Sequence, residues 1–255
     1  MNQVLNIVFP PDPEFREERE KLREAPQAPP SVVPDRLQDD VDAAATGVWE
    51  ADQFARRQLS QLVQHVFFPG WPRPSRQIVV SSVDQLARSA EVCARIAHAM
   101  AKDLPGTVCA VEAALVSPGL EQYMAPESQS QAEKVGAVHP NCVRVHENLW
   151  LLTLNAFLRA GYDHAKVVWL RSRLSELRRE FDYTIIHAAA ISVSSDVMLL
   201  GQLSDGVILV LEAHSTRRAA ARSARESLYD ANVRLLGLVL NQRTFPVPEA
   251  IYSKL

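Results

Sequence analysis

The positions best placed to do chemistry follow the ends of short apolar runs: the segment Ser81–Ala90, Glu112 and His187. Gln77–Ser81 reads as a strand and runs into Ser82-Val83-Asp84-Gln85-Leu86-Ala87-Arg88-Ser89-Ala90 and then a helix. A strand–loop–helix of this kind can hold a triphosphate when the loop reads G-x-x-x-x-G-K-[ST]. The glycines let backbone N–H groups converge on the phosphates, the lysine neutralises charge and the hydroxyl binds Mg²⁺. Here there is no glycine between Gly70 and Gly106 and no lysine between Lys21 and Lys102. Ser89 occupies the lysine place and Ala90 the Ser/Thr place. Arg88, the nearby cation, can reach an anion but does not replace the loop geometry. A helix N-terminus still attracts an anion weakly. Tight binding of ATP or Mg²⁺ is not expected, and no cofactor is implied.

The other candidates divide between chemistry and structure. His187 ends the apolar run Tyr183–Ile186. It could be a ligand or a base, but an imidazole is a poor partner for Mg²⁺, which prefers oxygen, and a buried, hydrogen-bonded histidine suits its surroundings better. His139, Cys142 and His146 have no fourth ligand nearby, so a zinc site is not expected. Asp196 precedes a leucine-rich helix and reads as its cap. There is no G-x-S-x-G nucleophile motif. Cys93, Cys109 and Cys142 form no C-x-x-C pair, which fits a reducing compartment. The tryptophans Trp49, Trp71, Trp150 and Trp169 read as core or interface anchors.

The elements that must position these residues follow from periodicity. The 255 residues are 47% hydrophobic and 22% charged, ordinary for a globular protein, with a net charge of −3 that gives no footprint for nucleic acid. Residues 1–50 carry a net −6 and the rest a net +3. Seven of the sixteen prolines fall within residues 1–46, which read as an acidic, proline-rich flexible arm before a domain over residues 47–255. Within the arm, Val4–Phe9 is a compact apolar cluster that either docks, for instance on a sheet edge, or stays free. Strands are expected at Gln77–Ser81, Thr107–Val111, Leu149–Leu154, Tyr183–Ile186, Val207–Leu211 and Leu235–Leu240. Helices are expected over Trp49–Phe68, Asp84–Lys102, His164–Glu180, Val193–Leu203 and Ser215–Ala231. Tyr123–Val143 reads as a surface loop. Strands of nearly continuous Val, Ile and Leu between helices mean a doubly wound, mostly parallel sheet with helices on both faces and any ligand site at the strands' carboxyl ends. No leader or membrane-spanning run is read, so a cytoplasmic location is expected.

The stretch Leu174–Asn241 resembles the catalytic domain of bacterial tyrosine kinases (BY-kinases), in the MinD/ParA branch of P-loop NTPases. The resemblance rests on Phe181-Asp182-Tyr183, Ser195-Asp196 before a leucine-rich helix, Asp205-Gly206, Thr216-Arg217 and Gly237-Leu238-Val239-Leu240-Asn241. Upstream, Glu50-x-x-Gln53-x-x-Arg56 resembles the family's E-x-x-R-x-x-R assembly helix, with Gln53 replacing the middle arginine. The resemblance implies that Glu112 stands where a second-strand Asp assists the metal. It likewise puts His187 where the Walker B Asp belongs, and Asn241 where an asparagine contacts adenine or, without a phosphate loop, simply caps a strand end. The family's tyrosine-rich tail is reduced here to Tyr252.

Taken together, the resemblance implies a pseudokinase: a non-catalytic scaffold or regulatory subunit of an exopolysaccharide or capsule export system. Its partner would be a membrane polysaccharide co-polymerase or related export component, with homo-oligomers and a place at the inner face of the cell membrane also implied. A MinD/ParA-like pseudo-ATPase serving another membrane-associated assembly is the second reading. An active autokinase or ATPase with an unorthodox loop is the third.

Overall fold

The computed structural model describes residues 4–8, 51–68, 74–85, 87–115, 119–124, 141–158 and 166–243. Eight strands form one sheet: β1 (Val4–Val8), β2 (Gln77–Ser82), β3 (Val108–Glu112), β4 (Val143–His146), β5 (Leu149–Leu152), β6 (Tyr183–His187), β7 (Val207–Glu212) and β8 (Leu235–Arg243). Their spatial order is β1-β8-β7-β2-β6-β3-β5-β4. The pairs from β8 through β5 are parallel, while β1 and β4 close the two edges antiparallel. The helices are α1 (Ala51–Phe67), α2 (Ser89–Asp103), the single turn α3 (Leu154–Phe157), α4 (Lys166–Glu180), α5 (Asp196–Leu203) and α6 (Arg218–Asp230). This is the doubly wound α/β sheet expected.

Burial on both faces explains why the central strands read as unbroken apolar runs. All of β2 and β3 is buried, and alternate residues serve opposite layers. Ile78, Val80, Val108 and Ala110 pack with Leu62, Ile96 and Met100 of α1 and α2. Val79, Cys109 and Val111 pack with Leu174 and Leu177 of α4 and Leu200 of α5 on the other side. Each such leucine contributes about 1.5–3 kcal/mol by leaving water.

At the amino ends of the strands, short polar clamps fix where the strands begin. Asp205 Oδ2 accepts from the N–H groups of Arg76 and Gln77 at 2.7 and 2.8 Å, and its Oδ1 accepts from Arg178 Nη2 of α4 at 2.7 Å. The next residue, Gly206, has φ +150°, and a Cβ there would lie 2.6 Å from the Arg234 carbonyl. Asp182 accepts from the Thr107 N–H at 2.8 Å and from its hydroxyl at 3.0 Å, tying the start of β6 to that of β3. These hydrogen bonds, the Thr107 N–H foremost, hold the Asp182 carboxyl below the usual aspartate range.

Three local expectations change. The helix expected from Asp84 begins at Ser89, because Asp84 Oδ1 accepts from the Ala87 N–H at 3.2 Å and holds a turn first. Val143 and the residues after it form the edge strand β4, pairing with β5. The strand expected to reach Leu154 stops at Leu152, where Thr153 caps α3 by accepting from the Ala156 N–H at 3.4 Å. The apolar cluster near the start of the chain forms β1 through Val4–Val8, antiparallel to β8. Glu50 and Tyr252 lie outside the described residues, as do 9–49.

Candidate functional site

The sheet order sets β3, β6 and β2 side by side, so their carboxyl ends converge beside the start of α2. Glu112 ends β3, His187 ends β6 and Ser89 opens α2. Ser89 Oγ lies 3.0 Å from His187 Nε2, and His187 Nδ1 lies 2.8 Å from Glu112 Oε1. The three residues are 8%, 3% and 3% exposed, respectively. Glu112 also accepts from the Ala114 N–H through Oε1 at 2.9 Å and from the Leu120 N–H through Oε2 at 2.5 Å. Gly119 allows that last bond, since a Cβ there would stand 2.7 Å from Glu112 Oε2. The tautomer with Nδ1–H donating to the carboxylate leaves Nε2 to accept the Ser89 O–H.

Chemically, this is a closed relay. Every polar atom that the sequence placed at a phosphate- or metal-holding position is bonded to another residue of the chain. The order Ser–His–Glu is also that of an activated serine nucleophile, but that chemistry needs an accessible hydroxyl and donors for an oxyanion. Ser89 at 8% exposure offers no such opening.

A second carboxylate stands where a phosphate-binding loop would receive its anion. Glu212, at the end of β7, lies beside Arg88 at the start of α2, and its Oε2 is buried without a hydrogen-bond partner among the described residues. Burial, with Asp84 and Glu91 nearby, pushes the Glu212 carboxyl above the usual glutamate range, against the pull of Arg88. Thr216 links this corner together: its hydroxyl donates to Asp84 Oδ2 at 3.0 Å and accepts from the Glu212 N–H at 3.0 Å.

The remaining candidates fall around these two clusters. Arg88 is exposed and pairs with Glu91 at 3.5 Å, while Ala90 is buried in the first turn of α2. Asp196 is the first residue of α5, its N–H donating to Ser194 Oγ at 3.1 Å, and its charge favours that helix end. Asn241 is buried at the last parallel pairing of β8 with β7, opposite Glu212, and its carbonyl accepts from the Ala213 N–H at 2.8 Å. Arg56 is exposed on α1, and Gln53 lies on the same helix. Glu212, Asp84 and Thr216 are the participants that sequence reasoning did not single out as a group. A strand-end acid followed four residues later by a threonine was the available signal.

The neighbouring Cys109 thiol, which donates to the Ala110 carbonyl at 3.8 Å, lowers Cys142, while burial raises Cys109 and Cys93. Among the described residues no group of His, Cys, Asp and Glu is arranged to hold a metal ion, and no helix is long and apolar enough to cross a membrane.

No protein-family model matches the chain. The tyrosine-protein kinase YwqD of Bacillus subtilis is 29% identical over 73 residues, a match spanning 29% of this chain and only 31% of YwqD. Among solved structures, the kinase domain of Escherichia coli tyrosine kinase ETK superposes with a TM-score of 0.60 at 14% identity, covering 94% of this chain and 92% of that domain. The chimerical protein CapA2B2 gives 0.61 at 14% identity over 80% and 90%, and the VpsO kinase domain 0.57 at 16% over 77% and 100%. The chain therefore has the P-loop fold of the bacterial tyrosine kinase domains, at a level of identity that speaks to architecture and not to activity.

Proposed function

We propose that the chain is a pseudokinase: a non-catalytic scaffold or regulatory subunit of a bacterial exopolysaccharide or capsule export system. The observation that carries the non-catalytic part is the closed relay Ser89–His187–Glu112, which engages the three positions where a lysine and two metal-assisting carboxylates belong. An imidazole flanked by a carboxylate and a hydroxyl has no oxygen to give a hard cation. The Glu212 carboxyl lies beside Arg88 at the start of α2, so a phosphate arriving there would meet an acidic group of the chain itself.

The place in an export system rests on kinship of fold with kinase domains such as CapA2B2 and VpsO. On this reading the chain works at the cytoplasmic face of the membrane beside a polysaccharide co-polymerase. On the same reading Arg56, exposed on α1, serves self-association or partner contact, as the Glu50-x-x-Gln53-x-x-Arg56 pattern implies. Charge pairs of that kind act on specificity more than on raw affinity. Reversing Arg56 to Glu is expected to shift the sedimentation profile of the protein or of its complex.

A genetic test addresses the whole reading. Deleting the gene in its host should reduce surface polysaccharide, and a copy carrying Ser89→Ala should restore it, because no phosphoryl transfer is required of Ser89. Unchanged polysaccharide on deletion would remove the chain from that system. Restoration by the unaltered chain alone would return chemistry to the site.

A further inference from the structure

We propose that the groove between α1 and α2 is a docking site for an acidic peptide segment of a partner protein. The two helices bury their apolar faces together against one layer of the core, through Leu59, Leu62 and Val63 on α1 and Ile96, Ala97 and Met100 on α2. Helical spacing then turns Arg56 and Arg57 of α1, and Arg95 and Lys102 of α2, toward one cavity of about 580 Å³. His98 lines it as well. Among the described residues, four basic side chains thus face one carboxylate, Asp103, which already accepts from the Ser60 hydroxyl.

These cations have little else to hold. Arg95 meets Glu91 only at 4.0 Å, and Arg56, Arg57 and Lys102 have no ion-pair partner among the described residues. Cations concentrated from two helices around one concavity, in a chain of net charge −3, are a local positive feature. That disfavours a long polyanion such as nucleic acid, which needs a continuous basic track.

The floor selects among smaller anions. Leu59 and Ala99 line the cavity between the cationic walls, so an occupant gains by placing an apolar side chain at the bottom while its carboxylates meet the rim. Arginine forks accept carboxylates in bidentate geometry, which gives direction as well as attraction. A short peptide with acids on both sides of an apolar residue satisfies floor and rim together; a bare phosphate satisfies only the rim. The site is independent of the Ser89–His187–Glu112 relay; it shares Arg56 with the partner-contact surface proposed above, so the variants used to test it leave Arg56 in place.

The test is fluorescence anisotropy on the full chain with a labelled peptide bearing glutamates on either side of one leucine. Saturable binding that weakens with added salt is expected, together with a loss of about tenfold or more in affinity for the Arg95→Glu, Lys102→Glu double variant. Should that variant melt early, Arg57→Gln with Lys102→Gln removes charge without reversing it and should still weaken binding. Replacing the peptide's leucine by serine should cost affinity too. No saturable binding, or binding unchanged in either variant, overturns the proposal. Equal competition by inorganic tripolyphosphate, with the leucine making no difference, would reduce the groove to a general anion site and also overturn it.

Discussion

The two ends of the sheet tell different stories. At the amino ends, Asp182 and Asp205-Gly206 stand where the kinase-like pattern has them, and their work is architectural: they clamp strand starts through backbone N–H groups and the Arg178 side chain. At the carboxyl ends the fold is equally regular, and Ser89, His187 and Glu112 bond to one another where, on the function proposed above, groups for phosphoryl transfer would stand. Retaining the clamps keeps the doubly wound sheet. The chemistry of a sheet of this kind lives at its other edge, which can change without loss of fold.

This contrast is broken most sharply by forcing the carboxyl edge back toward metal chemistry. His187→Asp would set a second carboxylate against the buried Glu112, where an imidazole now bridges to Ser89. Two like charges in one buried site should destabilise the protein by about 3–5 kcal/mol, and Mg²⁺ should not rescue it. Urea unfolding with and without Mg²⁺ measures this, and a variant that regains stability on adding Mg²⁺ would mean that the metal site is latent and not rewired.

On the amino edge, Asp205→Ala removes the acceptor for two backbone N–H groups and one guanidinium. It should cost about 2–3 kcal/mol, read as a lower denaturant midpoint, because partly buried donors are left unmatched. Ser89→Ala is expected to cost less, about 1 kcal/mol, since it deletes one neutral hydrogen bond and leaves the His187–Glu112 pair whole.

The smallest effects are pH-dependent and opposite in sign at the two edges. The Asp182 carboxyl is held below its ordinary value of 3.8, so its stabilisation is present above that value and is lost as pH falls through the lower folded one. The Glu212 carboxyl is pushed above its ordinary 4.5, so its contribution is fully present below that value and is lost as pH rises through the folded one. Glu212→Gln should therefore flatten the stability profile just above the ordinary glutamate range, while Asp182→Asn should flatten it only at the acid end. Denaturant midpoints taken across pH test both.

Much of this architecture could be read from residues alone, for a physical reason. β2, β3 and β7 are covered on both faces and so appear as unbroken runs of small and branched apolar residues. β4 lies at an edge with alternating exposure and has no such run, which is why no strand is expected at Val143–His146 from the sequence. Val4–Val8 was ambiguous because five residues before a pair of prolines can pair or stay free, and only the open edge of β8 decides it.

The lack of glycine and lysine in Ser81–Ala90 is plain from composition. What replaced them is not. Ser89 and His187 are 98 positions apart, His187 and Glu112 are 75 apart, and only the order β2-β6-β3 brings them together. The Glu212–Asp84–Thr216 corner is hidden in the same way, with Thr216 and Asp84 132 positions apart.

The most direct test of the account is calorimetric titration of the full chain with ATP in the presence of Mg²⁺. With Ser89, His187 and Glu112 engaged with one another and Glu212 beside the start of α2, no Mg²⁺-dependent binding is expected. Saturable binding at micromolar ATP that disappears on removing Mg²⁺ would show that the relay opens to admit a nucleotide, and would contradict the account.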